Sequence, residues 1–472
     1  MHQPSPTAAQ PQPRLFYGWL VVAAGFAVTF VGFGCAYSFS AFVEPLQRDF
    51  DATRGSVSLV FALAGFLYFG FGMISGPLAD RWGARRLAAL GMLLTAAGLA
   101  AAGMAHSLTQ VYLGYGLGVG LGVGCAYVPA MGTVQRWFVR RRGFASGLAV
   151  SGIGVGTLVM PPLVSLLIPL TGWRGAYMVL AVIAVVVGAG MALLIEDSPR
   201  SRGLQPDGDP APPAATPVPP AASPSHSAPA DHSAPAVHSV PADHSALGDH
   251  SDHPGPSTHG APATHRTAAV ATGASIRDAL RSRPFIALYA ACLFSSFGLF
   301  VPFVHLVPYA QDHGIAQSAA VLLIGAIGVG STAGRFFLGG VADRMGRRPA
   351  LLAMLAGMAL ALLIWLASTS MWALFLFALL FGVCYGGYVA LLPALVMDEF
   401  GGRNISGLIG ILYTSVAFGN LIGPSAAGYA YDLTHSYAVP ILASAACNLL
   451  AVAILAWLSR RRDAMAGDTE PA

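Results

Sequence analysis

Gly76-Pro-Leu-Ala-Asp80-Arg81-Trp-Gly83-Ala-Arg85-Arg86 and Gly339-Gly-Val-Ala-Asp343-Arg344-Met-Gly346-Arg347-Arg348 are two copies of one pattern. In each, a glycine is followed four residues later by Asp-Arg, then by a second glycine and more arginine. Asp80 and Asp343 stand 263 residues apart. A weaker echo pairs Ser146-Gly147-Leu148 with Ser406-Gly407-Leu408, 260 residues apart. Each charged copy lies between two long apolar runs. A chain of two related halves is the simplest reading, and the apolar runs say where it resides.

A helix that crosses a bilayer needs about 20 mostly apolar residues. Twelve stretches qualify, near 17–43, 56–78, 87–106, 109–134, 144–170, 173–195, 285–310, 317–341, 349–368, 371–397, 405–430 and 437–458. The composition agrees. Of 472 residues 55% are hydrophobic and 10% charged, where a soluble domain carries about 25% charged. Mean hydropathy is +0.64. A cytosolic enzyme and a nucleic-acid binder are excluded on these grounds. The expected fold class is all-α: a polytopic membrane protein of twelve transmembrane helices in two pseudo-symmetric six-helix bundles. The five cysteines sit in apolar runs without metal-ligand spacing and read as small buried residues.

The 25 basic residues are all arginine. With both termini placed in the cytoplasm, 21 fall inside, three fall outside (Arg48, Arg54, Arg174), and Arg335 falls within a span. That asymmetry is the positive-inside rule. It predicts a multi-pass protein of the cell inner (cytoplasmic) membrane. The expected organisation is a disordered tail over 1–14, a bundle over 15–196, a cytoplasmic linker over 197–280, a bundle over 281–459 and a tail over 460–472. The linker is rich in Pro, Ala and His, with His226, His232, His238, His244 and His250 six apart. Such a composition cannot bury enough apolar surface to fold alone. Six residues of extended chain span about 19 Å, too far for neighbouring histidines to share an ion, so a tether is favoured over a metal tract.

The doubled Gly-xxx-Asp-Arg-x-Gly loop resembles the signature of the major facilitator superfamily. Within it the chain resembles the monocarboxylate transporters and the oxalate–formate exchangers. That likeness is carried by Gly18-Trp19, by Trp137-Phe138 and Arg140-Arg141-Arg142 leading to Gly147 and Gly152, by Phe303, His305, Pro308 and Tyr309, and by Gly423-Pro424, Gly428 and Asp432. The resemblance implies secondary active transport of a small organic monocarboxylate by alternating access, with proton symport as the leading reading. Carboxylate exchange, or a drug or sugar facilitator, are the alternatives. It implies a monomer, partnered by a small carboxylate, a proton or counter-anion and the bilayer, with no nucleic acid, cofactor or metal. It also implies a conformational latch made of Gly76, Asp80, Arg81, Gly83 and Arg85, and of Gly339, Asp343, Arg344, Gly346 and Arg347. Topology alone would also explain such charge; close backbone approach at the glycines favours the latch.

Arg335 is the sharpest single residue. It lies eight residues before Asp343, about 12 Å up a helix, inside a hydrocarbon layer about 30 Å thick. A buried arginine needs a partner or a polar cavity. No Asp or Glu lies deep in any span, which leaves a substrate carboxylate as the counter-charge; backbone carbonyls and Ser331 are the other candidates. The resembled families use an arginine in span eight in this way. The animal monocarboxylate transporters also have an acid one turn before it and a lysine in span one, and here those positions are Ser331 and Tyr37. The exchangers' second cation, a lysine in span eleven, is missing too. One buried charge suits a monoanion. Tyr37, Tyr127, His305, Ser331, Tyr385, Tyr388, Tyr413 and Asn420 are the further expected substrate contacts, with His305 also a candidate proton carrier. Gly328 is expected to leave room beside Arg335. The glycines from Gly114 to Gly124 read as helix-packing positions, not as a nucleotide loop.

Overall fold

The computed structural model describes residues 16–208, 275–401 and 405–467, with a few side chains within these left undescribed. By contact the chain divides into two units, 1–210 with 271–472, and 211–270. The second unit, with the histidine repeat, lies outside the described residues. The first is helical among its described residues and holds both halves.

Among the described residues, eleven stretches are long and apolar enough to cross a membrane. One of them, Phe144–Ala192, has 49 residues and is broken at Gly172, whose φ of 71° ends one helix and starts the next. The expected spans five and six are therefore both present, and twelve helices result. We label them α1 (Gly18–Phe50), α2 (Arg54–Ala79), α3 (Ala84–Gly103), α4 (Leu108–Trp137), α5 (144–171), α6 (173–192), α7 (Arg283–Asp312), α8 (Gln317–Met345), α9 (Arg347–Leu366), α10 (Met371–Phe400), α11 (Gly407–Thr434) and α12 (Ala438–Ser459).

The helix starts follow from side-chain chemistry. Thr53, Ser282 and Ser370 each sit in extended backbone and accept a hydrogen bond from the amide three residues on, opening α2, α7 and α10. These bonds satisfy amides that a first turn leaves without partners. Between α2 and α3 the chain turns at Gly83 with φ 89° and ψ 135°, and between α8 and α9 at Gly346 with φ 90° and ψ 140°. The sequence repeat is thus a repeat of backbone. Only glycine adopts this region without strain, so the second glycine of each motif is a turn requirement. The first is less constrained: a Cβ on Gly76 would meet Val128 at an ordinary 3.6 Å.

Two seams join the halves, α5 on α8 and α2 on α11, while α8 on α10 and α1 on α5 pack within each half. Glycine makes the α5–α8 crossing close: a Cβ on Gly328 would lie 2.6 Å from the Gly154 carbonyl oxygen. The expectation that Gly328 leaves space for a ligand is therefore corrected; the partner half fills it. The glycines of α4 have the predicted packing role, with Gly114 and Gly118 set against Gly98 of α3.

Candidate functional site

Arg335 projects from α8 into the seam with α5. Its Nη1 donates to the Val150 carbonyl oxygen at 3.1 Å. Its Nε and Nη2 are enclosed and have no hydrogen-bond partner. The guanidinium centre lies 6.0 Å from the Tyr385 ring centroid. Ser331, one turn earlier, does not complete the shell; its hydroxyl is itself buried and unpartnered. Nε and Nη2 form one edge of the guanidinium plane, the fork that takes both oxygens of a carboxylate. The side chain is therefore anchored by one arm, with the two-pronged edge unused.

Next to the guanidinium, at Tyr385, stands an aromatic cluster from both halves. The Tyr37 and Tyr385 hydroxyls meet at 3.3 Å across the interface. Phe303 of α7 stacks on Tyr37 with centroids 4.4 Å apart and meets the Tyr385 ring edge-on. Phe33 packs edge-on against Tyr127 at 5.2 Å and against Tyr68 at 5.4 Å. Tyr37, Tyr127 and Tyr413 lie within electrostatic range of the guanidinium. The hydroxyls of Tyr68 and Tyr388 are buried with no partner. Buried hydroxyls are normally bonded, so unpartnered ones in the same layer as an open guanidinium edge offer polar contacts to a guest with an apolar body.

The structure thus gathers Arg335, Ser331, Tyr37, Tyr127, Tyr385 and Tyr413 at one place, with Tyr388 on the same helix as Tyr385. It sets two expected contacts elsewhere. Asn420 sits on the α2–α11 seam, donating to the Ala62 carbonyl at 3.4 Å and lying against the space a Gly65 side chain would need. His305 lies toward the end of the bundle opposite the loop motifs, bonded to Pro424 and Tyr437. The sequence does not single out Tyr68, and it singles out Phe303 only as part of the family likeness, since an aromatic in an apolar span carries no signal of what it faces.

The loop motifs make ion pairs within their own halves. Arg85 donates to the Ile195 carbonyl at 2.7 Å and to Glu196 at 2.9 Å, and the Ala84 amide donates to Asp197. The Arg202 guanidinium, bonded to Glu196 at 2.7 Å, holds that carboxyl below the usual carboxylate range against the opposing effect of burial. In the second half Arg347 bonds Asp398 at 2.6 Å and Arg348 pairs with Glu399. Arg81 and Arg344 are exposed. The side chains of Asp80, Gly339 and Asp343 lie outside those described.

A family model described as the Major Facilitator Superfamily matches residues 24–327 and 286–471. Monocarboxylate transporter 11 of Mus musculus is 27% identical over 435 residues, covering 90% of this chain and 84% of the relative. Monocarboxylate transporter 12-B of Danio rerio is 27% identical over 464 residues, covering 94% and 89%. Monocarboxylate transporter 13 of Bos taurus is 25% identical over 445 residues, covering 93% and 88%. Among solved structures, a bacterial homologue of the human lysosomal transporter Spinster, inward-facing and unoccupied, matches with a TM-score of 0.66 and 16% identity, over 94% of this chain and 97% of that one. At that identity the likeness is one of fold.

Proposed function

The chain belongs to the major facilitator superfamily, and on that premise we propose that it carries a small organic monocarboxylate across the membrane by alternating access, with Arg335 as the carboxylate anchor. It is a multi-pass membrane transporter related to the monocarboxylate transporters, and not an enzyme. The observation that carries the substrate reading is the unused Nε–Nη2 edge of Arg335. An enclosed guanidinium with one arm tied and two nitrogens open calls for a planar anion with two acceptors. Every other arginine lies at a span end or in a loop, so one carboxylate balances the site and a dianion leaves a charge unmatched. The aromatic wall of Phe33, Phe303 and Tyr37 suits a short carbon body.

Proton symport is the coupling we assign, with the loop motifs and the linker on the cytoplasmic side of an inner membrane, as the arginine asymmetry directs. The test is uptake into proteoliposomes of lactate, pyruvate, formate, acetate and oxalate, with and without an inward proton gradient. Monoanions are expected to accumulate with the gradient and oxalate to be excluded. Equal uptake of oxalate, or uptake driven only by internal carboxylate, would replace this reading with anion exchange.

The loop motifs are assigned to the conformational equilibrium. Asp80→Asn or Asp343→Asn is expected to lower turnover while leaving substrate affinity within a few-fold, because a group that biases two states without touching ligand changes their populations. Initial rates over a range of substrate concentration check this. Normal turnover with a weakened affinity would remove the latch assignment.

A further inference from the structure

The end of the bundle opposite the loop motifs is tied shut by charged and polar groups of both halves. Arg54, at the start of α2, makes two bonds of 2.6 Å to the Asp312 carboxylate at the end of α7. The same guanidinium lies 4.1 Å over the Tyr431 ring and donates to the Tyr437 hydroxyl at 2.8 Å. Asp432 of α11 accepts from the amides of Arg54 at 3.0 Å and Gly55 at 2.8 Å, capping a helix of the other half as an anion caps any helix start. Backbone meets backbone here too, since a Cβ on Gly428 would lie 2.7 Å from the Gly55 Cα. Gln311 bonds Glu44 of α1.

His305 is the one titratable group of this network with no exposure, and its bonding fixes its protonation. Nε2 lies 2.9 Å from the Pro424 carbonyl oxygen, which can only accept, so Nε2 carries the hydrogen. The Ser58 hydroxyl, 3.3 Å from Nε2, spends its own hydrogen on the Arg54 carbonyl. Nδ1 is therefore the acceptor, taking the Tyr437 hydroxyl hydrogen at 3.2 Å, while the Tyr437 oxygen takes the hydrogen of Arg54. A second proton on Nδ1 would face that hydroxyl head-on and strand its hydrogen. It would also set an imidazolium one phenol oxygen away from the Arg54 guanidinium. The nearby acids offer little relief. Asp312 is already paired with Arg54 and Tyr431, Asp432 is held by two amides, and Glu44 is engaged by Gln311 and Arg48. Tyr309, on the same helix, donates to the Ser368 carbonyl and points elsewhere.

We propose that His305 makes this closure proton-sensitive: the clamp of Arg54, Asp312, Asp432 and Tyr437 holds only while His305 is neutral, so acid opens this end of the transporter. The sign follows from linkage. A histidine that is buried neutral when closed, and hydrated when open, binds its proton in the open state. The inference concerns the gate and is independent of which substrate is carried.

The test is hydrogen–deuterium exchange of the full chain in lipid nanodiscs without substrate, at pH 7.5 and 5.5, corrected for intrinsic exchange rates. A hydrated histidine titrating near 6.5 shifts the opening equilibrium about ten-fold between these values. Exchange in the peptides over 54–58 and 428–437 is expected to rise by that factor. His305→Gln should make it independent of pH, and His305→Phe carries the same expectation should the glutamine variant not fold. Asp432→Asn should raise exchange at both pH values and keep the ten-fold ratio. Wild-type exchange that does not change with pH overturns the proposal. So does a ratio that survives in both His305 variants, or one that vanishes in Asp432→Asn.

Discussion

Arg335→Lys is expected to lose carboxylate binding nearly as completely as Arg335→Ala. An ammonium at this position keeps the charge but gives up the fixed plane by which Nη1 engages the Val150 carbonyl at 3.1 Å in the native protein. It cannot then present a second pair of parallel donors. The open Nε–Nη2 edge is a geometric feature, and lysine, a point charge on a flexible stem, has no equivalent of it. A charge-assisted contact of this kind is worth roughly 1.5–3 kcal/mol, so affinity should fall by about one to two orders of magnitude. Direct binding and proteoliposome uptake for wild type and both variants, with membrane insertion checked in parallel, give the answer. An alanine variant that inserts normally and still takes up carboxylates with near-native affinity would mean that the anion is held elsewhere.

The position of Arg335 was legible because charge in an apolar span is rare and costly. The twelve spans and the doubled motif were legible for the same reason, since length, hydropathy and a 263-residue repeat are properties of the sequence itself. What faced what was not. His305 and Asn420 were grouped with Arg335 because all three are polar residues in spans. The structure gives His305 to the far-end closure and Asn420 to the α2–α11 seam, and nothing in single-sequence spacing distinguishes a pocket-facing side from a seam-facing one. Asp312 and Asp432 lie 258 and 378 residues from Arg54 along the chain, and only the docking of the halves brings the three together. Gly328 erred in the opposite direction: a small residue beside a site can mean space, or it can mean that another helix is already there.

Glycine at such positions leads to the second large effect. Gly386→Ala is expected to destabilise the protein and weaken substrate binding together. Gly386 of α10 lies so close to α8 that a Cβ would sit 2.7 Å from both the Cα and the carbonyl carbon of Ser331, and nearer still to its oxygen. These are backbone atoms, so no side chain can swing aside. The neighbours repeat the pattern: a Cβ on Gly330 would fall 2.9 Å from the Val383 amide nitrogen, and one on Gly334 would fall 3.0 Å from that of Gly387. One helix must therefore shift, and overpacking of this kind costs roughly 1–3 kcal/mol. Because Ser331 is one turn from Arg335, the shift also moves the guanidinium that is proposed to anchor the anion. Gly132→Ala is the matched control. It too lies within a helix, but a Cβ there meets nothing within 4 Å, so the substitution should stabilise by about 0.5–1 kcal/mol through lost backbone freedom in the unfolded chain. Thermal unfolding midpoints of the two purified variants should move in opposite directions from wild type, and substrate affinity should fall only in Gly386→Ala. A Gly386→Ala protein as stable as wild type would show that α8 and α10 can separate freely, and the fixed placement of Arg335 between the halves would fall with it.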